Sequence, residues 1–212
     1  MEEILDKYPL LKYQNVSRET CVDFEKFIIE IKKRNQEINL ISKETAEQDI
    51  IRNRHISDCA QILDFIDLNN NIITDIGSGA GFPGIIVSIL VKNLKKKIKV
   101  HLYEKSHHKS AFLRKMSREL KLETEVIQKN IFEIKNINSG TIMARAFKPL
   151  PIVLELVYNN FNNYKNLILF MGKNSEKTLE DTLKIWDFDF EKKKSITSQD
   201  SFLLNIKNIK KK

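Results

Sequence analysis

Four of the six glycines in this 212-residue chain fall within eight residues, at Gly77, Gly79, Gly81 and Gly84 of the stretch TDIGSGAGFPG. Glycine takes positive φ readily and lets a ligand approach the main chain with no Cβ in the way, so the concentration marks a binding loop. Gly79, Gly81 and Gly84 also match G-x-G-x-x-G, a nucleotide-binding pattern that is weak by itself. Two acids refine the chemistry. Asp75 would stand beside the glycine turn, where a dinucleotide places its pyrophosphate, and like charges meet unfavourably in a partly dehydrated cleft. S-adenosylmethionine presents a sulfonium and an ammonium and has no phosphate, so an acid there favours it. Glu104 follows 27 residues after Gly77, where a carboxylate can accept hydrogen bonds from both ribose hydroxyls. That role suits an adenosyl donor and NAD alike.

Arg145, in MARAF, is the cation expected to face the same cleft, where its planar fork would position a bound ligand by paired hydrogen bonds. In RHISD, residues 54–58, His55 reads as a ring packed or hydrogen-bonded near the cleft, with Arg54 and Asp58 paired beside it. No Ser-His-Asp, Cys-His or metal-ligand spacing occurs, so neither a catalytic base nor a metal is expected. The net charge of +8 is concentrated: Lys92 to Lys121 hold nine Lys and two Arg against two Glu. A polyanionic partner follows from that excess. Lys105, Lys109, Arg114, Lys115 and Arg118 lie on or just before one helix whose buried side is Phe112, Leu113 and Met116, and they are the candidate nucleic-acid-binding face. His107 and His108 share this segment as phosphate contacts or solvated residues.

These residues need a frame. From Ile72 onward short β-rich runs alternate with helical ones: IITDI, IKVHLY, TEVIQ, TIMARA and NLILFM read as strands, with helices over 83–91 and 106–120. A charged end follows that holds two antiparallel strands. Such alternation implies an α/β domain, a doubly wound Rossmann-like and mostly parallel sheet covered on both faces. In that fold the glycine turn after the first strand sits at the ligand crevice. Upstream, Phe24, Phe27, Ile28 and Ile31 carry helical spacing over 18–38, and a second helical region runs from Thr45 to Phe65. The expected organisation is an N-terminal helical cap over 1–66 and a nucleotide-binding domain over 67–212. No apolar run approaches the roughly 20 residues that cross a bilayer. The opening MEEILDKYPLL lacks an export signal, and two distant cysteines, Cys21 and Cys59, suit a reducing cytoplasm.

Taken in order, INLIS, RHISD, DIGSGAGFPGI, KSAFLRKMSREL and ARAF, over roughly residues 35 to 173, resemble the bacterial small-subunit ribosomal RNA methyltransferase G family, also called glucose-inhibited division protein B. The resemblance implies a class I methyltransferase fold and transfer of a methyl group from S-adenosylmethionine to nitrogen 7 of a guanine in small-subunit (16S) rRNA. It implies rRNA as partner, alone or within the 30S subunit, and a protein acting as a monomer. It places cofactor contacts on Gly77, Phe82, Ile131, Phe132 and Arg145. Two positions depart from the family pattern. Phe132 stands where an acid is usual, and Met171-Gly172 stand where Lys-Gly is usual, with Lys173 one step beyond. Guanine nitrogen 7 is already an exposed lone-pair acceptor, which agrees with the missing base.

Two other classes share some of these features, an NAD-dependent oxidoreductase and a noncatalytic RNA-binding module with a remnant loop. The first lacks an acid/base residue, and the second would bind RNA without methyl transfer. Reversing three of the five cations of the basic face to Glu is expected to weaken RNA binding and to lower its salt slope by roughly 0.7 to 0.9 per lost phosphate contact. A titration series showing the same slope would make this face ordinary surface.

Overall fold

Ser17 starts the first helix, α1 (Arg18–Asn35), by accepting the Thr20 amide, and Lys32, Lys33 and Arg34 lie against the negative end of its dipole. Phe24, Phe27, Ile28 and Ile31 form its buried stripe, the spacing read from the sequence. The computed structural model describes residues 7, 8, 11, 16–46, 50–173 and 175–212. Most of the stretch read for an export signal lies outside them, as does part of the unit assigned to 1–66. No helix among the described residues is long and apolar enough to cross a membrane.

The second helical region is not one regular helix. A π-helical stretch at Ile51–Ile56 runs into an α-helical turn at Ser57–Ala60 and a 3-10 turn at Gln61–Phe65. Competing side-chain bonds account for the irregularity. The Arg52 guanidinium donates to the Glu25 carboxylate at 2.5 and 2.7 Å, and the Ser57 hydroxyl donates to the Arg52 carbonyl five residues back.

The strands are β1 (Ile72–Ile76), β2 (Lys99–Tyr103), β3 (Thr124–Ile127), β4 (Ile137–Asn138), β5 (Thr141–Arg145), β6 (Phe161–Asn162), β7 (Asn166–Met171), β8 (Trp186–Lys194) and β9 (Phe202–Lys211). Between them lie α2 (Gly84–Asn93), α3 (His107–Glu119), α4 (Leu150–Asn160) and α5 (Ser175–Leu183). Seven strands form one sheet in the order β3-β2-β1-β5-β7-β9-β8, and β4 pairs with β6 alone. β1, β2, β3, β5 and β7 are parallel, while β9 runs antiparallel to β7 and β8. The order turns back between β1 and β5, which leaves a crevice at their C-terminal ends.

Alternation along the strands sends side chains to two cores. In β7, Ile168 joins the cluster built with α1, α2 and α3, while Leu167 and Leu169 join the cluster built with α4. β5 repeats this with Met143 on the first side and Ile142 and Ala144 on the second. The first cluster extends through Phe27 of α1, whose ring lies 5.4 Å from Phe82 and 6.2 Å from Phe112. α1 is thus packed against both the glycine loop and α3.

Phe27→Ala should therefore cost about 3 to 5 kcal/mol of stability, in the range for deleting a buried aromatic ring. Urea unfolding measures this directly. A loss below about 1 kcal/mol would show that α1 is dispensable to the core.

Candidate cofactor and nucleic-acid site

A cavity of about 590 Å³ opens over the C-terminal ends of β1, β2 and β5. Its floor is the turn after β1. The Gly77 and Ser78 amides both donate to the Tyr103 carbonyl, at 2.9 and 3.0 Å, which ties the turn to β2. Gly77 and Gly79 have φ of +74° and +55°, in the left-handed region that favours glycine. A Cβ at Gly77 would strike the Phe147 ring at 2.2 Å, whereas at Gly79 it would meet nothing nearer than the Gly77 carbonyl at 3.7 Å. Gly79 is thus the point where bare main chain meets open cavity.

Asp75, expected beside this turn as a cofactor contact, lies outside the cavity lining and is fully buried. Its Oδ2 accepts the Gly84 amide at 3.0 Å, at the start of α2, where the capping residue Pro83 has no side chain to offer. The positive end of α2 accounts for this placement, since it holds the carboxylate behind the loop instead of above it. Oδ1 is buried with no partner among the described residues. Burial pushes the carboxyl up to about 7, the nearby Ser78 hydroxyl and the Gly84 amide oppose the rise, and the charge of Glu104 adds to it.

Glu104 is then the sole carboxylate in the described cavity wall. Its Oε2 accepts the Gly79 amide at 2.9 Å and its Oε1 accepts the Ser106 amide at 2.7 Å. A carboxylate accepts about four hydrogen bonds, so both oxygens retain capacity for ligand hydroxyls. Ile131 and Phe132, also in the wall, belong to the 3-10 turn after β3. Asn160 holds that turn by donating to the carbonyls of Ile131, Phe132 and Ile134 at 3.3, 3.3 and 2.6 Å. The exposed Phe132 ring stacks on Phe147 at 5.9 Å. Phe82 lines the cavity between two rings, with Phe27 on one side and His55 stacked at 4.9 Å on the other.

Arg145 reaches the cavity wall, but its guanidinium is engaged with the 54–59 segment. It donates to the His55 and Arg54 carbonyls at 3.4 and 3.2 Å and to Cys59 Sγ at 3.1 Å, and it pairs with Asp58 at 3.3 Å. Asp58 is therefore the partner of Arg145 and not of Arg54, because β5 brings the Arg145 fork across the segment. Both nitrogens of His55 are buried without partners, and burial, with Arg145 and Arg54 close by, lowers its imidazole to about 4. A neutral ring with enclosed nitrogens is poorly placed to act as a base.

Of the five expected RNA-binding residues, Lys105 and Lys109 line the cavity mouth, and Arg118 is exposed on α3. Arg114 donates to Gln128 at 3.2 Å. Lys115 is turned toward α1, where it pairs with Glu30 at 2.5 Å, so much of its charge is already answered. Two further cations, Lys129 and Lys148, join the mouth. They follow β3 and β5, beyond the segment where the charge excess drew notice.

The sequence matches a known protein along its whole length. The family model of rRNA small subunit methyltransferase G (GidB) matches residues 20–205. A ribosomal RNA small subunit methyltransferase G from Pelagibacter ubique is 71% identical over 212 residues, covering 100% of both chains. One from Rickettsia felis is 32% identical over 196 residues, covering 92% of this chain and 97% of that one. The chain belongs to the rRNA small subunit methyltransferase G family. It is therefore a methyltransferase with the sheet of the S-adenosylmethionine-dependent class. Solved structures share that fold: a ribosomal protein L11 methylase from Lactobacillus delbrueckii has a TM-score of 0.57 at 12% identity, covering 73% of this chain and 78% of that one. A SAM dependent methyltransferase from Aquifex aeolicus has 0.54 at 15%, covering 70% and 88%.

The cavity fits the family's cofactor in its chemistry. It offers one carboxylate with spare acceptor capacity, a bare main chain at Gly79 and an apolar flank at Ile131 and Phe132. Leu40 and Ile41, whose amides both donate to Asn35 Oδ1, close it from the N-terminal side.

The two buried titrating groups have opposite signs. Asp75 holds a proton in the folded state between its ordinary 3.8 and about 7, so its contribution to stability declines as pH rises through that window. His55, lowered from 6.5 to about 4, has the reverse slope, because there the unfolded chain binds the extra proton. Each slope is at most about 1.4 kcal/mol per pH unit, and over the shared window they oppose each other. Asp75→Asn removes only the first. Its melting temperature, measured against the unsubstituted protein, should climb from pH 4 to about pH 7 and level off above. A pH-independent difference would mean that Asp75 is ionised throughout.

Proposed function

We propose that the protein transfers a methyl group from S-adenosylmethionine to nitrogen 7 of a guanine in small-subunit rRNA. The observation that carries this reading is the cavity at the β1/β5 reversal, where the sole described acid in the wall is Glu104 and the mouth carries Lys105, Lys109, Lys129 and Lys148. Those lysines have no ion pair among the described residues, so their charge is free for RNA phosphates. The relatives' names supply the rRNA, and nitrogen 7 agrees with a described wall whose one carboxylate, Glu104, is held by the Gly79 and Ser106 amides.

When bound, S-adenosylmethionine supplies a methyl carbon on a sulfonium sulfur, and the transfer leaves a neutral thioether and a cationic 7-methylated purine, with no proton to remove. The chain's own task is placement. Glu104 accepts from the ribose hydroxyls, and the main chain at Gly79 lets the donor lie close. The 131–132 turn flanks the base of the adenosyl group. Arg145 acts through the 54–59 segment: it fixes the carbonyls of Arg54 and His55, and with them the ring that packs on Phe82. We take the acting form to be a monomer in the cytoplasm, the compartment that an rRNA substrate implies.

Incubation with methyl-labelled S-adenosylmethionine and either free small-subunit rRNA or assembled subunits tests the reading. Label should be recovered as 7-methylguanosine from one of the two, and no label in either would overturn it. In the same assay Gly79→Ala, whose new Cβ enters the cavity at a backbone cost of about 1 to 2 kcal/mol, should bind S-adenosylmethionine at least tenfold more weakly while remaining folded. Calorimetry giving equal affinity would remove Gly79 from the site.

A further inference from the structure

Beside the cofactor cavity lies a second hollow of about 390 Å³, over the C-terminal ends of β5 and β7. The two share Ala146, Phe147 and Lys148 as a common wall. Phe170 and Met171 from the end of β7 close the hollow on one side, and Ser175 and Thr178 of α5 close another. The Phe170 ring is backed by the Arg145 guanidinium, 5.4 Å from its centroid. Ala146 has a φ of +49°, a left-handed conformation that costs a non-glycine residue about 1 kcal/mol. Such strain persists only where the surroundings enforce it, and it gathers at ligand clamps.

We propose that this hollow receives the acceptor guanine, extruded from the RNA, with its ring against Phe170 and Lys148 beside its phosphate. The proposal rests on the methyl-transfer reading above and extends it to the place of the acceptor. A base stacked within folded RNA cannot bring its edge to a carbon held in a protein cavity, so it has to leave the stack. A flipped base needs an apolar surface for its face and polar groups at its edge. The hollow provides both: aromatic and aliphatic walls from Phe147, Phe170 and Met171, and hydroxyls from Ser175 and Thr178. Ala146, Phe147 and Lys148 line both hollows, so the two sites adjoin. The groove beside α4 meets the cofactor cavity at Phe132 alone, and its cations Lys135 and Lys211 are already engaged by Asn160 and Glu155. Lys148 has no such partner among the described residues.

Thr178→Trp tests the assignment, since it fills the hollow from α5 without lining the cofactor cavity. Phe170→Leu is the second variant, and it removes the stacking ring while keeping most of the volume. With small-subunit rRNA as substrate, kcat/KM should fall at least tenfold in the first and severalfold in the second. The calorimetric Kd for S-adenosylmethionine should stay within twofold, with thermal melts confirming that both fold. Equal kcat/KM in the two variants and the unsubstituted protein would overturn the assignment while leaving the methyl-transfer reading standing. A parallel loss of S-adenosylmethionine affinity would also overturn it, because the hollow would then belong to the cofactor. Failure of the unsubstituted protein to methylate rRNA at all would remove both readings together.

Discussion

The Asp75 carboxylate accepts the Gly84 amide across nine residues of chain, and the cavity is built around that bond. It joins the end of β1 to the start of α2 and obliges the intervening residues to form a tight loop. Close approach sets the residue type at its far end, because a Cβ at Gly84 would lie 2.4 Å from Asp75 Oδ2 and 2.3 Å from Leu102. The loop is held from the other side as well. The Tyr103 carbonyl takes two of its amides, and Glu104, the next residue, takes a third at Gly79. The acid that faces the cavity, Glu104, is therefore located by the same bonds that shape the floor.

A second set of contacts secures the opposite flank. α1 contributes Phe27, which packs on Phe82; Phe82 stacks on His55; and the carbonyl of His55 is held by Arg145 at the end of β5. The series links the N-terminal helix to the sheet through the cavity wall. It also explains why the Arg145 fork is not free. Asp58 and three further acceptors meet it on the protein side, and a guanidinium so satisfied stabilises the segment it holds.

Legibility in the sequence followed the range of the interactions. IITDI and NLILFM emerge as strands with the bounds read from them, because local apolar runs and their flanking turns suffice. The glycine turn and the placement of Glu104 at the end of β2 were likewise visible, since both depend on spacing along one βαβ unit. The direction in which Asp75 points was not. Adjacency puts it next to the glycines, but only the three-dimensional position of α2 decides that it faces inward. The Arg145–Asp58 pair joins residues far apart in the sequence and has no local signal. α4 was hidden for another reason: PIVLELV is apolar nearly all round, which removes the periodicity that marks an amphipathic helix. Lys129 and Lys148 went unnoticed because lysine is abundant throughout the chain, and only the fold shows which lysines meet at a mouth.

The proposed reaction also accounts for the lack of catalytic machinery in the described wall. Acyl and phosphoryl transfers build charge in the transition state, and enzymes answer it with aimed dipoles, metals or a base. Methyl transfer from a sulfonium to a neutral purine nitrogen moves one positive charge from donor to acceptor, so the cleft begins and ends with the same total. Little new charge has to be stabilised, and the remaining barrier is chiefly one of bringing nucleophile, carbon and leaving sulfur into line. That requirement is met by rigid walls, and rigid walls are what the Asp75–Gly84 bond, the Tyr103 carbonyl and the Arg145 fork supply. In the proposed reaction the mouth lysines serve the other need, since a polyanion carrying the acceptor must be held while a single base is turned inward.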